Sequence, residues 1–234
     1  MIPAVIVAGG RGERMGAATD ALPKPMLSLG GRPILERLVV ALRDAGWRDI
    51  DLCLGYRADA VVAHFGDGAR LGVRLRHHVE SAPRGTAGAV ADLREELGDE
   101  MLVVYGDLLV AADLRAFAEF FAARPRAAAA LALIDTDHPH DSDLARLEGE
   151  RVSALFRDPA ARPPCAPALA ALWAVRGPVL DLISRERPSD FGRDAFPEAL
   201  RRGLEIVGWR AGGELADLGT PERLARARAR LERA

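Results

Sequence analysis

The residues best suited by type and spacing to do chemistry cluster near the start of the chain. Gly9, Gly10 and Gly12 end the apolar run Val5-Ile6-Val7-Ala8, Arg14 follows at once, and Lys24 stands between Pro23 and Pro25. Glycine backbone can approach an anion closely and offer it unshielded amides. Two long cations, Arg14 and Lys24, then reach the same anion. Two carboxylates stand further along, Asp107 after Gly106 and Asp217 in Asp217-Leu218-Gly219-Thr220-Pro221. Chemistry on a polyphosphate needs cations and a divalent metal, because several negative oxygens must be gathered and one phosphorus made electrophilic. Hard Mg²⁺ takes a few carboxylates and keeps its waters, so two aspartates suffice. The pattern reads as a site for a nucleoside triphosphate.

Better-known phosphate loops do not fit. A dinucleotide fingerprint needs a third glycine where this chain has Met15, and a P-loop needs Gly-Lys-Ser or Gly-Lys-Thr, which is absent. An NAD(P)-binding reading is therefore disfavoured. His64, His77, His78, His138 and His140 include no helical metal-binding pair, and Ser28, Ser81, Cys53 and Cys165 have no partners suggesting a covalent nucleophile.

Those residues must be placed by an α/β scaffold. Apolar strand-like runs at Val5–Ala8, Ile50–Leu54, Val73–His77, Met101–Tyr105 and Ala127–Ile134 alternate with helical patterns. The spacing predicts helices over Pro33–Ala45, with Ile34, Leu35, Leu38, Val39 and Leu42 on one face, over Thr86–Leu97 and over Asp113–Ala123. Beyond Asp135 the pattern loosens, with strands expected at Val152–Phe156, Leu169–Val175 and Leu204–Trp209. Helices are expected at Val179–Arg185 and Phe196–Arg201, and a last one opens at Pro221. The alternation predicts a three-layer α/β/α, Rossmann-like domain with a mainly parallel mixed sheet. In such sheets ligands gather at the carboxyl ends of strands, where the Gly9–Arg14 loop, Asp107 and Asp217 all fall.

A length of 234 residues with 49% hydrophobic content suits one large domain without disulfides or structural metal. Lys plus Arg at 32 against Asp plus Glu at 34 argues against a general nucleic-acid or membrane surface. Lys24 is the only lysine in a chain otherwise rich in arginine. The arginines at 223, 226, 228, 230 and 233 read as a solvated helix face. Two isolated cysteines fit a reducing cytoplasm, with Cys53 expected as a buried small hydrophobe. The N-terminal apolar run is too short for a membrane span.

The full pattern from Gly9-Gly10-x-Gly12-x-Arg14-Met15 through Thr19 to Pro23-Lys24-Pro25-Met26 resembles the signature of the sugar-1-phosphate nucleotidyltransferases, whose fold is GT-A-like. Gly55-Tyr56, Phe65-Gly66-Asp67-Gly68, Glu80, Gly85-Thr86-Ala87-Gly88, Gly106-Asp107, Phe191–Pro197 and Asp217–Pro221 follow in that family's order. His138–Leu144 is similar to the branch containing heptose-1-phosphate and mannose-1-phosphate guanylyltransferases. The resemblance implies one domain over 1–234, with a nucleotide-binding half at 1–134, a sugar-binding half at 135–210, and a metal aspartate and closing helix at 211–234. It implies that Ala8, Gly9, Gly10 and Gly12 wrap the nucleotide and that Arg14 and Lys24 hold the triphosphate. Glu80, Gly85, Thr86 and Gly88 line the base and sugar side, and Asp107 and Asp217 hold Mg²⁺. The implied substrates are a nucleoside triphosphate, GTP favoured, and a sugar 1-phosphate or cyclitol phosphate. The number of subunits is left open, a homodimer included.

The chain departs from the family at Ala17, where a proline is usual, at Leu169–Trp173, which match the sugar-binding strand only loosely, and at two positions that carry charge. Arg84 replaces a leucine before Gly85, a cation expected at the rim of the nucleotide site. Asp158 replaces the lysine that meets the sugar phosphate, leaving Arg157 and Trp173 as the candidates for that side. A nucleotide-binding regulatory homologue without turnover is the alternative these departures raise.

Overall fold

A computed structural model describes residues 1–136, 140, 142–157 and 166–232. In chain order the first elements are β1 (Ala4–Val7), β2 (Ser28–Leu29), β3 (Arg32–Pro33), α1 (Ile34–Asp44), β4 (Asp49–Leu54), α2 (Ala58–Phe65) and β5 (Arg74–Val79). Next come α3 (Gly85–Ala91), α4 (Arg94–Leu97), β6 (Glu100–Tyr105), β7 (Leu108–Val110), α5 (Leu114–Ala122), β8 (Ala129–Ile134), β9 (Leu144–Glu148) and β10 (Arg151–Phe156). The remainder is β11 (Ala168–Arg176), α6 (Gly177–Leu180), α7 (Phe196–Arg201), β12 (Ile206–Arg210), β13 (Leu215–Asp217) and α8 (Pro221–Leu231). The chain is an α/β protein with both parallel and antiparallel strand pairs. It divides into two compact units.

The first unit contains Pro3–Pro83, Val104–Ala112 and Glu214–Ala234. Here β1 pairs in parallel with β4, Ala4 opposite Ile50 through Val7 opposite Cys53, and β4 pairs in parallel with β5. Helix α1 buries the expected five apolar residues, and Cys53 is buried as expected. The antiparallel pair β7–β13 sets Asp217 opposite Leu108. Met15, Leu29, Ile34, Leu218, Leu224 and Ala227 form one apolar cluster. It ties the turn after the glycine loop to α8.

The second unit contains Arg84–Val103 and Asp113–Gly213 with the first two residues. Its alanine-rich β8 is fully buried up to Leu133 and lies between antiparallel β11 and parallel β12. Small side chains suit a strand crowded on both faces. The register of β11 shifts between Leu169 and Trp173, where Ala171 takes a left-handed φ of 55°. That is a bulge, which bends a strand and re-aims its side chains. Strand pairing in this unit is mostly antiparallel, unlike the parallel expectation that the first unit meets.

Two predicted helices are shorter than expected. The Thr86–Leu97 helix breaks into α3 and α4 because bonding tightens at Leu93, whose N–H reaches Val90 O at 3.1 Å. Arg84 also grips Asp92 through Nε and Nη2 at the end of α3. The Val179–Arg185 helix is instead α6, starting two residues earlier at Gly177-Pro178. It stops because Leu182 and Ile183 bond back only three residues and Ser184 Oγ accepts from Glu186 N–H.

One buried charge network fastens the parallel strands of the first unit. Asp51 on β4 is fully buried and accepts from Arg76 Nε and Nη2, both at 2.7 Å, with His78 Nε2 at 2.7 Å from its Oδ1. Register makes these contacts: Asp51 lies opposite Arg76 and Cys53 opposite His78. Removing one partner of a buried pair costs most when the charge left behind cannot reach water. Arg76→Ala is therefore expected to lower the unfolding free energy by about 3 kcal/mol. Asp51→Ala should cost less, because the Arg76 and His78 side chains are 37% and 24% exposed. Urea denaturation of both variants reads the difference, and equal losses would contradict it.

Candidate active site

The glycine loop begins where β1 ends. Ala8 N–H donates to Cys53 O at 2.8 Å, Gly106 N–H to Val7 O at 2.8 Å, and Tyr56 N–H to Gly9 O at 3.0 Å. Three loops thus meet at backbone distance. A Cβ at Gly55 would lie 2.7 Å from Gly9 O, and one at Gly106 would lie 2.8 Å from the Ala8 Cβ. Side chains at these points would push the loops apart. Gly12 has φ 72° and sits 3.0 Å, by its missing Cβ, from the Cβ of Lys24. Gly10 is exposed with nothing within 4 Å of a Cβ position, so its backbone faces open space. Thr19 is buried and donates to Gly16 O at 3.1 Å, closing the turn behind the loop.

Lys24 begins a helical turn, Lys24–Met26, in which Leu27 N–H returns to Lys24 O. The flanking prolines restrict the backbone that aims it. Its side chain is only 8% exposed. Its Nζ is in a direct ion pair with Asp107 Oδ2 and lies 3.8 Å from Asp217 Oδ1. Asp107 and Asp217 are brought together by the β7–β13 pairing and by Leu218 N–H donating to Asp107 O at 3.0 Å. Arg14, more than half exposed, has Nη2 3.9 Å from Asp217 Oδ2. A Cβ at Gly219 would collide with both groups, at 2.6 Å from Asp217 Oδ1 and 2.8 Å from Arg14 Nη2. The first unit therefore assembles Gly9, Gly10, Gly12, Arg14, Lys24, Asp107 and Asp217 in one place. Glu80, just past β5, holds its N–H on Leu54 O at 2.8 Å.

The remaining expected residues lie in the second unit. Gly85 has φ 72°, and a Cβ there would meet Ser189 O at 2.4 Å. Ala87 and Gly88 donate their N–H groups to that same oxygen at 2.9 and 3.2 Å. The Thr86 hydroxyl donates to Asp190 Oδ2 at 2.8 Å and accepts from Phe191 N–H at 3.2 Å. This segment is tied to the Ser189–Phe191 stretch. Arg84 pairs with Asp92 and donates to Arg185 O at 2.9 Å, so its charge is spent within the unit. Arg157 forms two bonds to the Asp143 carboxylate, with Nη2 to Oδ2 at 3.0 Å. Trp173 is buried, edge-on to Phe196 at 5.5 Å and tilted against Phe191. His138 and Asp158 lie outside the described residues.

Sequence reasoning missed Arg223. Taken for part of a solvated face, it is 8% exposed and donates from Nη1 to Asp217 Oδ2 at 2.6 Å. A signal was present: Arg223 falls three residues after Thr220, whose hydroxyl caps α8 by accepting from Arg223 N–H at 3.3 Å. That puts it on the first turn, just beyond the loop carrying Asp217.

Burial first, and the Asp107 carboxylate second, push the Asp217 carboxyl above the usual carboxylate range, against the pull of Lys24, Arg223 and Arg14. A carboxyl raised in the folded state adds stability below its unfolded value, near 4, and loses it as pH rises through the folded value. The melting temperature of the native chain relative to Asp217→Asn is therefore expected to fall as pH rises from about 4 toward neutrality. Calorimetry on both proteins without divalent cations checks this, and a difference that grows over the interval would refute it.

Comparison with known proteins identifies the family. The family profile described as nucleotidyl transferase matches residues 3–234. A mannose-1-phosphate guanylyltransferase of Mycobacterium tuberculosis is 31% identical over 234 residues, covering 99% of this chain and 65% of the relative. A glucose-1-phosphate thymidylyltransferase of Streptomyces griseus is 28% identical, covering 94% and 65%. The chain thus spans about two thirds of the length of these curated relatives. A solved structure from Bacillus anthracis, provisionally assigned as a glucose-1-phosphate thymidylyltransferase, superposes with a TM-score of 0.86 at 26% identity, covering 98% of this chain and 94% of that one. With a profile match over nearly its whole length, the chain belongs to the nucleotidyl transferase family.

Proposed function

We propose that the chain transfers a nucleotidyl group from a nucleoside triphosphate to a sugar 1-phosphate or related cyclitol phosphate, releasing pyrophosphate. The observation that carries this reading is the lone lysine held between two aspartates beside a glycine loop with open backbone. The Gly9–Lys24 stretch serves the nucleotide, with Arg157 and Trp173 the residues assigned to the sugar phosphate. Guanine is the favoured base, supported by the mannose-1-phosphate guanylyltransferase relative. The thymidylyltransferase relative makes thymine the nearest competitor.

The donor set fits Mg²⁺. Asp107 and Asp217 offer hard carboxylate oxygens, and Asp217 Oδ1 is buried without a hydrogen-bond partner among the described residues. A buried acceptor left unpaired calls for an explanation, and a bound cation supplies one. When bound, Mg²⁺ neutralises phosphate charge and makes the α-phosphorus electrophilic.

The chain's own residues do the rest. Backbone amides of the Gly9–Gly12 loop orient the triphosphate, and Arg14 and Lys24 stabilise negative charge as it moves onto the leaving pyrophosphate. A phosphate oxygen of the acceptor forms the new bond to the α-phosphorus as the bond to the β-phosphate oxygen breaks. The attacking oxygen is already anionic, so no general base is required, and positioning supplies much of the rate. One observation favours a second reading, binding without turnover: the Arg157 guanidinium is engaged by Asp143.

Pyrophosphate release from GTP, dTTP, UTP, CTP and ATP with a panel of sugar 1-phosphates and Mg²⁺ tests the proposal. Turnover with one pair, strongest with GTP, is expected. Calorimetric binding of an NDP-sugar with no pyrophosphate from any pair would instead select the second reading. Lys24→Ala and Asp107→Ala should each cut turnover by at least about 100-fold with circular dichroism unchanged. Lys24→Arg should not restore it, because a planar guanidinium cannot replace a compact ammonium between two carboxylates. Native rates in Lys24→Arg would remove the lysine from its assigned role.

A further inference from the structure

We propose that Arg223 is a positioning residue that sets the metal preference of the site: by occupying Asp217 Oδ2 it leaves Oδ1 as the one oxygen that aspartate presents to a divalent cation. The inference rests on the proposed reading of Asp107 and Asp217 as metal ligands and adds to it a role for the closing helix.

The two oxygens of Asp217 are in different circumstances. Oδ2 accepts from Arg223 Nη1 at 2.6 Å and has Arg14 Nη2 at 3.9 Å. Oδ1 is buried, accepts no hydrogen bond among the described residues, and has Lys24 Nζ at 3.8 Å. Gly219 keeps the space beside the carboxylate clear, since a Cβ would stand 2.6 Å from Oδ1 and 2.9 Å from Oδ2. One oxygen is held and the other is presented.

A cation in the first turn of a helix opposes the macrodipole, and burying a guanidinium is unfavourable unless it is paired. Thr220 already caps the helix, and Leu224 and Ala227 already anchor it in the apolar cluster. The hydrogen bond of Arg223 to the Asp217 carboxylate supplies such a pairing. A guanidinium with fixed donor directions holds a carboxylate in one rotation better than a flexible ammonium does.

Denticity has a chemical consequence. Ca²⁺ takes six to eight oxygens and accepts bidentate carboxylates, whereas Mg²⁺ keeps several waters and uses one or two carboxylates. An Asp217 restricted to one oxygen suits Mg²⁺. With Oδ2 released, two-oxygen ligation opens and Ca²⁺ gains relative to Mg²⁺. A general loosening of the fold would weaken both ions alike, and loss of the arginine's charge alone would strengthen both alike. Only control of denticity changes their ratio.

The test is displacement of Mn²⁺ from the full chain, followed by electron paramagnetic resonance of free Mn²⁺ as Mg²⁺ or Ca²⁺ is added. Arg223→Met, which matches the buried volume without a donor, and Arg223→Leu are expected to shift the Ca²⁺-to-Mg²⁺ affinity ratio toward Ca²⁺ by about fivefold or more. Arg223→Lys keeps a donor and should return most of the native ratio. Arg230→Gln, which removes a more exposed α8 pair with Glu214, should leave the ratio unchanged. A native ratio in whichever of Arg223→Met and Arg223→Leu retains its circular dichroism spectrum would overturn the inference. Asp217→Asn separates the two levels. If it binds Mn²⁺ as the native chain does, the metal reading itself fails and takes this inference with it. If it loses Mn²⁺ while Arg223→Met keeps the native ratio, only the role of Arg223 fails.

Discussion

The site depends on one electrostatic constraint: two aspartates held together, with an almost buried ammonium between them. Burial, and then the neighbouring Asp107 carboxylate, push the Asp217 carboxyl upward. Such an arrangement persists only where counter-charge is fixed in place. Lys24 supplies it from below, Arg223 from the closing helix and Arg14 from the more exposed side. The first unit is built to deliver these five side chains from three separated stretches of sequence. That explains why the unit itself is discontinuous, drawing in Val104–Ala112 and the C-terminal segment beside its N-terminal strands.

Backbone closeness makes the convergence possible. Gly9, Gly55 and Gly106 let the ends of β1 and β4 and the turn after β6 approach within hydrogen-bonding range. The same close approach carries Asp107 from β6 to the side of the loop. Its partner arrives differently, through a three-residue strand, β13, whose pairing with β7 fixes the height of Asp217. A loop would leave that carboxylate with more conformational freedom. Strand pairing on one side and Arg223 on the other remove it.

Much of this was legible in the residues. The glycine spacing, the lysine between prolines and the two distant aspartates were chemically conspicuous, and α1 followed from the repeat of Ile34, Leu35, Leu38, Val39 and Leu42. What escaped was set by tertiary contact. Leu215-Ala216-Asp217 is too short to show a strand period. The apolar pattern from Ala89 through Leu97 runs smoothly across the break between α3 and α4, where tightened bonding and the Arg84–Asp92 pair end the first helix. The one local mark of Arg223 is its place three residues after the capping Thr220, and its partner is set by the fold of the preceding loop. Thr86 opens the expected helix, and no local pattern shows that its hydroxyl also bridges Asp190 and Phe191 across about a hundred positions of sequence.

The choice of cation at position 24 follows from the same constraint. Thirty-two Lys and Arg residues include only one lysine, so the composition of the chain presses strongly toward arginine at every basic position. At position 24 the side chain is 8% exposed, Gly12 leaves room for its Cβ where a side chain at position 12 would come within 3.0 Å, and carboxylates face it from two directions. A guanidinium is planar and presents its donors in a rigid fork, which matches one carboxylate well and two divergent ones poorly. An ammonium is compact and its three donors rotate freely. It can bond one aspartate, stay near the second, and still turn a donor toward a phosphate without moving the backbone. The pressure toward arginine yields at the one place where a point charge does what a fork cannot.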